Sequence, residues 1–225
     1  MSKVCFVRAI GYNGREGCVV LEKIQVTDQI EIERRVATAL ADALIGDPFY
    51  AAITIDFAAD EIRRRAVLAV YCRYSLQEGY HIGKTVIAKD AAGAAIWNLP
   101  QPPDVAERAL QAKQSAFEVL LGPRGFEAYR AILNFMEPAA QAVIPPDTWY
   151  LSILGVAPQK QGRGVGRTLL APTLREADQV GARCFLETFN AARLPFYRRL
   201  GFEAVADHIE PTTERQYWIM VREAP

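Results

Sequence analysis

Apolar residues recur through Ile32, Val36, Leu40 and Leu44 at the three- and four-residue steps of one helix face. The spacing predicts a helix over Ile30 to Leu44, closed by Gly46 and Pro48 as stop signals. Ahead of it, two apolar stretches, Val4 to Ile10 and Cys18 to Val26, flank Tyr12-Asn13-Gly14-Arg15. Asn-Gly in that setting is a strong short hairpin signal, so the chain is expected to open with strands. Gly46 to Asp56 reads as a loop rich in apolar and aromatic residues (Phe49, Tyr50, Ile53, Ile55, with Phe57 just beyond), and Asp60 as the cap of a second helix running to about Glu78.

His81 to Lys89 and Ala94 to Leu99 are β-rich and joined by the turn sequence Asp90-Ala91-Ala92-Gly93, which predicts an antiparallel pair. After Pro100, Pro102 and Pro103, helical stretches over Glu107 to Leu121 and Phe126 to Met136 are separated by Gly122-Pro123, and Pro138, Pro145 and Pro146 break the chain again. Trp149 to Val156 is apolar enough for a central strand, ended by Ala157-Pro158, because proline cannot donate to a ladder. A helix from about Gly164 to Val180 follows, with Pro172 predicting a bend and Gly181 at the C′ position. A strand at Cys184 to Phe189, a short helix at Pro195 to Leu200, and strands at Phe202 to Ile209 and Gln216 to Arg222 complete the set. With 51% hydrophobic residues in 225, the chain can bury a full core, and residues 1–225 are expected to form one domain.

Lys plus Arg and Asp plus Glu number 26 each, so no global field draws in nucleic acid or an anionic membrane. Arg63-Arg64-Arg65 therefore reads as a solvated helix face. Cys5, Cys18, Cys72 and Cys184 show neither metal-ligand nor disulfide spacing, and no signal peptide or spanning-length apolar run is present. A cytoplasmic protein with buried thiols and no metal is expected. His81 and His208 build no nucleophile-base arrangement and read as structural.

Chemistry concentrates after the strand at Trp149 to Val156. The run Gln161-Gly162-Arg163-Gly164-Val165-Gly166 opens a helix, so main-chain amides converge at a helix N-terminus. Glycine removes Cβ atoms where an anion must approach, the dipole adds roughly half a positive charge, and Arg163 and Arg167 add more. That is a pyrophosphate site. The spacing matches neither GxGxxG nor a P-loop.

Val156-Ala157-Pro158 followed by Gln161, Gly164 and Gly166 fits the Q/R-x-x-G-x-G/A signature and resembles the GNAT acetyltransferase superfamily. Downstream, Cys184-Phe185-Leu186-Glu187-Thr188, Asn190 and Pro195-Phe196-Tyr197-Arg198-Arg199-Leu200-Gly201-Phe202 are similar to that family's later strand and the helix ending in Gly-Phe. Within the superfamily these motifs most resemble the puromycin N-acetyltransferase-like branch, over about the last third of the chain. The resemblance implies an α/β fold with a mostly antiparallel mixed sheet of six or seven strands, helices on both faces, and a V-shaped splay between the fourth and fifth strands. It further implies acetyl-CoA as co-substrate, bound by Leu154, Gly155, Val156, Gln161, Gly162, Arg163, Gly164, Val165, Gly166, Arg167 and Asn190.

The same resemblance gives the Val156 amide an oxyanion role and makes Tyr197 the acid for the departing thiolate, against a packed tyrosine as the plain alternative. Glu187 is the first candidate for the base, against a structural carboxylate bonded to loop amides. Asn190 is read chiefly as a helix cap. Phe49, Tyr50, Trp97 and Phe189 are candidates for an apolar acceptor pocket, and Asp47 and Glu118 for anchors of a cationic amine. The expected partner is a small-molecule amine attacking directly, without an acyl-enzyme. Acetylation of protein N-termini and non-catalytic acyl-CoA sensing are the alternatives.

Overall fold

The computed structural model describes residues 26–225. The hairpin read around Asn13-Gly14, the strands beside it, Cys5 and Cys18 lie outside the described residues. Val26, read at the end of a strand, instead opens helix α1 (Val26–Leu44).

Helices α2 (Pro48–Ile53) and α3 (Glu61–Ile82) follow, then strands β1 (Gly83–Ile87) and β2 (Gly93–Asn98). The segment read as a loop after Gly46 is therefore helical. Asp47 accepts from the Phe49 amide at 3.0 Å, and Pro48 at the first position pre-sets the helical φ. Asp60 caps α3 as expected, accepting from the Arg63 amide at 3.0 Å, and the helix runs on through His81 to Ile82, four residues past Glu78.

Helix α4 (Pro103–Gln141) is broken where Gly122 takes φ 75° and ψ 171°, at the predicted division. Asp56, far away in sequence, caps its second half by accepting from the amides of Arg124 at 2.9 Å and Gly125 at 3.2 Å. Pro138, read as a breaker, sits inside α4: burial of Met136 and Ala140 on either side holds the last turns despite the missing donor. Then come β3 (Trp149–Val156), α5 (Val165–Val180), β4 (Cys184–Thr188), α6 (Leu194–Arg198), β5 (Glu203–Glu210) and β6 (Arg215–Arg222).

Among the described residues the six strands form one sheet in the order β1-β2-β3-β4-β6-β5, antiparallel throughout except for β3 with β4. Helices cover both faces. One core gathers Val36, Leu40, Leu68, Phe117, Ile132, Ile153 and Ile219 beneath α1, α3 and α4. The other gathers Trp97, Leu151, Leu170, Leu186, Phe202 and Met220 beneath α5 and α6. α1 lies so close to β3 that a Cβ on Gly155 would fall 2.5 Å from Leu40 Cδ2. No helix among the described residues is long and apolar enough to cross a membrane.

Candidate active site

The parallel contact between β3 and β4 has only two register pairs, Trp149 with Cys184 and Tyr150 with Phe185. Beyond them the strands diverge, which is the expected splay. β3 carries a bulge at Ser152, where the register against β2 shifts between Ile96 and Trp97. The bulge lies ahead of Leu154 to Val156, beside the last rung shared with β4.

The Ala157 amide donates to the Ala92 carbonyl in the β2 direction at 2.7 Å. Alternation along an extended strand then turns the amides of Val156 and Leu154 toward the opening. Consistently, the Val156 carbonyl accepts from Gln161 Nε2 at 2.9 Å and not from β2. Gln161 Oε1 in turn accepts from Arg193 at 3.1 Å, so this side chain braces the loop internally.

At the mouth of the opening, α5 begins without a side-chain cap. Gly162 and Gly164 hold φ 74° and 80°, and a Cβ on either would meet nothing within 4 Å. The amides of Gly162 to Arg167 have no acceptor among the described residues. Freely exposed donors, open space and positive dipole coincide, so these residues fit a pyrophosphate. Arg163 and Arg167 are exposed there without an ion-pair partner among the described residues, although Arg163 does not line the cleft itself.

One cleft of about 1820 Å³ runs from this loop, through the splay, to the face beneath α3 and α4. It is lined by every residue the sequence assigned to acetyl-CoA binding or to catalysis except Arg163. Glu187 stands where the two halves meet. Burial pushes its carboxyl up to about 7, against the lowering effect of the Tyr150 hydroxyl, which donates to Oε2 at 3.2 Å. Oε1 is buried and unpartnered. The phenol of Tyr197 is pushed up to about 12 by burial, opposed by Arg193 and reinforced by Asp47, so it stays protonated at neutral pH. Asn190 caps the short 3-10 turn after β4, accepting from Ala192 at 3.0 Å.

Toward the acceptor end the wall is aromatic: Phe49, Tyr50, Tyr71 and Tyr129 line it, packed edge-on or stacked on one another and on the buried Phe117 behind them. Two candidates fail here. Trp97 is fully buried in the core beneath α5, on the other side of the sheet, because β2 is apolar on both faces. Glu118 is exposed on α4 and does not line the cleft. Asp47 does line it, and burial lifts its carboxyl to about 6 despite two backbone amides. The triple arginine is tied down: Arg65 pairs with Asp42 and Glu61, Arg64 bonds Thr54 and the Ile45 carbonyl, and Arg63 lies over Phe57.

Sequence reading missed Tyr150, and it missed the half-buried pair of Lys113 and Glu78, 2.7 Å apart on α4 and α3. Only the register of β3 against β4, and the packing of two helices, bring these groups to the cleft. Cys184 is buried and pushed up to about 12 by desolvation, which leaves it unsuited to nucleophilic work.

A family model described as "Acetyltransferase (GNAT) family" matches residues 125–202. An uncharacterised N-acetyltransferase of Schizosaccharomyces pombe is 23% identical over 174 residues, covering 75% of this chain and 70% of the relative. A solved "histone acetyltransferase HPA2 and related acetyltransferase" from Corynebacterium glutamicum superposes with a TM-score of 0.59 at 17% identity, over 87% of this chain and 92% of that one. An agmatine N-acetyltransferase superposes with a TM-score of 0.53 at 17% identity, over 87% and 96% of the two chains. Two other solved acetyltransferases, 26% and 28% identical, match more locally, over 57% and 51% of their lengths.

Proposed function

We propose that this chain, a member of the GNAT acetyltransferase superfamily, moves an acetyl group from acetyl-CoA directly to a primary amine of a small molecule. The observation that carries this reading is the continuity of one cleft from a run of uncommitted amides to a buried carboxyl.

In this reading the amides of Gly162 to Arg167 and the start of α5 hold the pyrophosphate, and the splay takes the extended arm of the donor along β3. Acetyl-CoA supplies an acyl carbon already activated as a thioester. Val156 N–H faces the carbonyl oxygen as charge develops on it. An amine attacks only when neutral, and Glu187, poised near 7, accepts its proton. The N–C bond forms, the C–S bond breaks, and Tyr197 delivers its phenolic proton to the departing sulfur. Asp47 lies within electrostatic reach of that phenol and lines the same cleft.

The aromatic wall favours a compact acceptor over an extended peptide, and one fold neighbour is named for agmatine, itself a small amine. The test is thiol release from acetyl-CoA against puromycin, polyamines, aminoglycosides and short peptides. Release with one or more of the small amines is expected. Release with peptides alone points to protein N-termini, and saturable acetyl-CoA binding without release from any amine overturns the catalytic reading.

A further inference from the structure

Three buried oxygens on the acceptor side, Asn98 Oδ1, Thr148 Oγ1 and Glu187 Oε1, have no hydrogen-bond partner among the described residues. All three residues line the cleft, and Thr148 is 6% exposed. A buried acceptor left without a donor is costly, and native interiors rarely keep one without a reason.

These oxygens share a face and a neighbourhood. Asn98 is the register partner of Tyr150, so their side chains leave the sheet on the same side. Thr148 lies two residues before Tyr150. The Tyr150 phenol then reaches across to Glu187. Asn98 and Thr148 therefore mark one end of a subsite and Glu187 the other, separated by about the reach of one tyrosine side chain.

Charge is distributed unevenly along the cleft. Arg167, Arg193 and Arg199 line the end near α5, whereas the acceptor half holds Asp47, Glu78, Glu137 and Glu187 against a single cation, Lys113. Lys113 is already committed to Glu78 at 2.7 Å. Oxygens that can all accept, set among surplus acids and aromatic faces, suit an ammonium, which offers N–H groups and positive charge together. A carboxylate offers neither.

We infer that the acceptor is a diamine-class molecule, with one amine presented to Glu187 and a second, cationic amine seated between Asn98 and Thr148. This rests on the acetyl-transfer reading only for the fate of the first amine; the second seat is a binding site in its own right.

The test compares 1,4-diaminobutane, n-butylamine and 4-aminobutyrate, molecules alike except at the far end, by calorimetric titration of the protein, which needs no turnover. The diamine is expected to bind at least about tenfold more tightly than the monoamine, since charged hydrogen bonds account for that much. Combining Asn98→Leu with Thr148→Val should shrink the ratio toward one, and the single change Asn98→Asp should enlarge it. Equal affinities of wild type for the diamine and the monoamine, or tighter binding of 4-aminobutyrate, overturn the inference whether or not a variant folds. Preferential diamine binding without thiol release from acetyl-CoA would leave the seat standing and remove the proposed chemistry instead.

Discussion

Replacing Glu187 with Gln separates catalysis from stability with opposite signs. The folded protein raises this carboxyl from 4.5 to about 7, chiefly by burial. Between those values the folded state holds a proton that the unfolded chain has released, so stability falls as pH rises through the window and is lowest above 7. Above pH 7 the buried charge costs about 3 kcal/mol. Gln keeps an oxygen for the Tyr150 hydroxyl while removing the charge. Urea unfolding should therefore find the variant more stable than wild type, with the advantage larger at pH 8 than at pH 5 by about 2 kcal/mol. Turnover should move the other way. Loss of a positioned base lowers kcat by about a hundredfold or more near pH 7. The wild-type rate should climb through pH 7 and level, while the variant gains rate only as the amine itself loses its proton in alkali. Equal stability differences at pH 5 and pH 8 would show that Glu187 does not titrate in this range, and an unchanged kcat would end its role as base.

Tyr197→Phe should lower kcat by about a hundredfold while acetyl-CoA affinity holds, which single-turnover kinetics beside a binding titration will separate. Gly164→Ala forces a Cβ into φ 80°, costing about 1 kcal/mol of stability. On the proposed donor site, affinity should fall further than that, because the new methyl would stand where the pyrophosphate is proposed to approach, and calorimetry with coenzyme A reads the difference. Arg222 holds Asp178 through contacts of 2.6 and 3.0 Å and also donates to the Leu200 carbonyl, joining β6, α5 and the end of α6. Arg222→Met should destabilise the fold by roughly 3 kcal/mol in urea unfolding, yet leave turnover per folded molecule near wild type.

Legibility in the sequence followed locality. β3, the glycine loop and α5 form one uninterrupted stretch, so the strand, its proline stop and the glycines at positive φ could be read in order. Gly181 and Asp60 were readable for the same reason, each acting on its own helix end. Pro48 misled, because proline both ends one helix and starts another, and only the Asp47 side chain on the Phe49 amide decides which. Trp97 misled differently: with Ala94, Ala95, Ile96 and Trp97 all buried, β2 has no polar alternation to say which face points at the cleft. Glu78 and Lys113 lie 35 residues apart on separate helices, and the seat beside Thr148 arises from strand register. Nothing in a linear pattern marks such meetings.

Among the described residues two rungs are all the backbone pairing that joins β1, β2 and β3 to β4, β5 and β6, so the sheet is a pair of three-stranded ribbons riveted at one end and held together elsewhere by side-chain packing. Deuterium should enter that seam one residue in two: quickly at Leu154 and Val156, slowly at Ile153 and Gly155, whose amides are clasped by β2. A guest with alternating amide donors and acceptors would lie there as a temporary extra strand. Its arrival should erase the odd-even rhythm and stiffen both ribbons together.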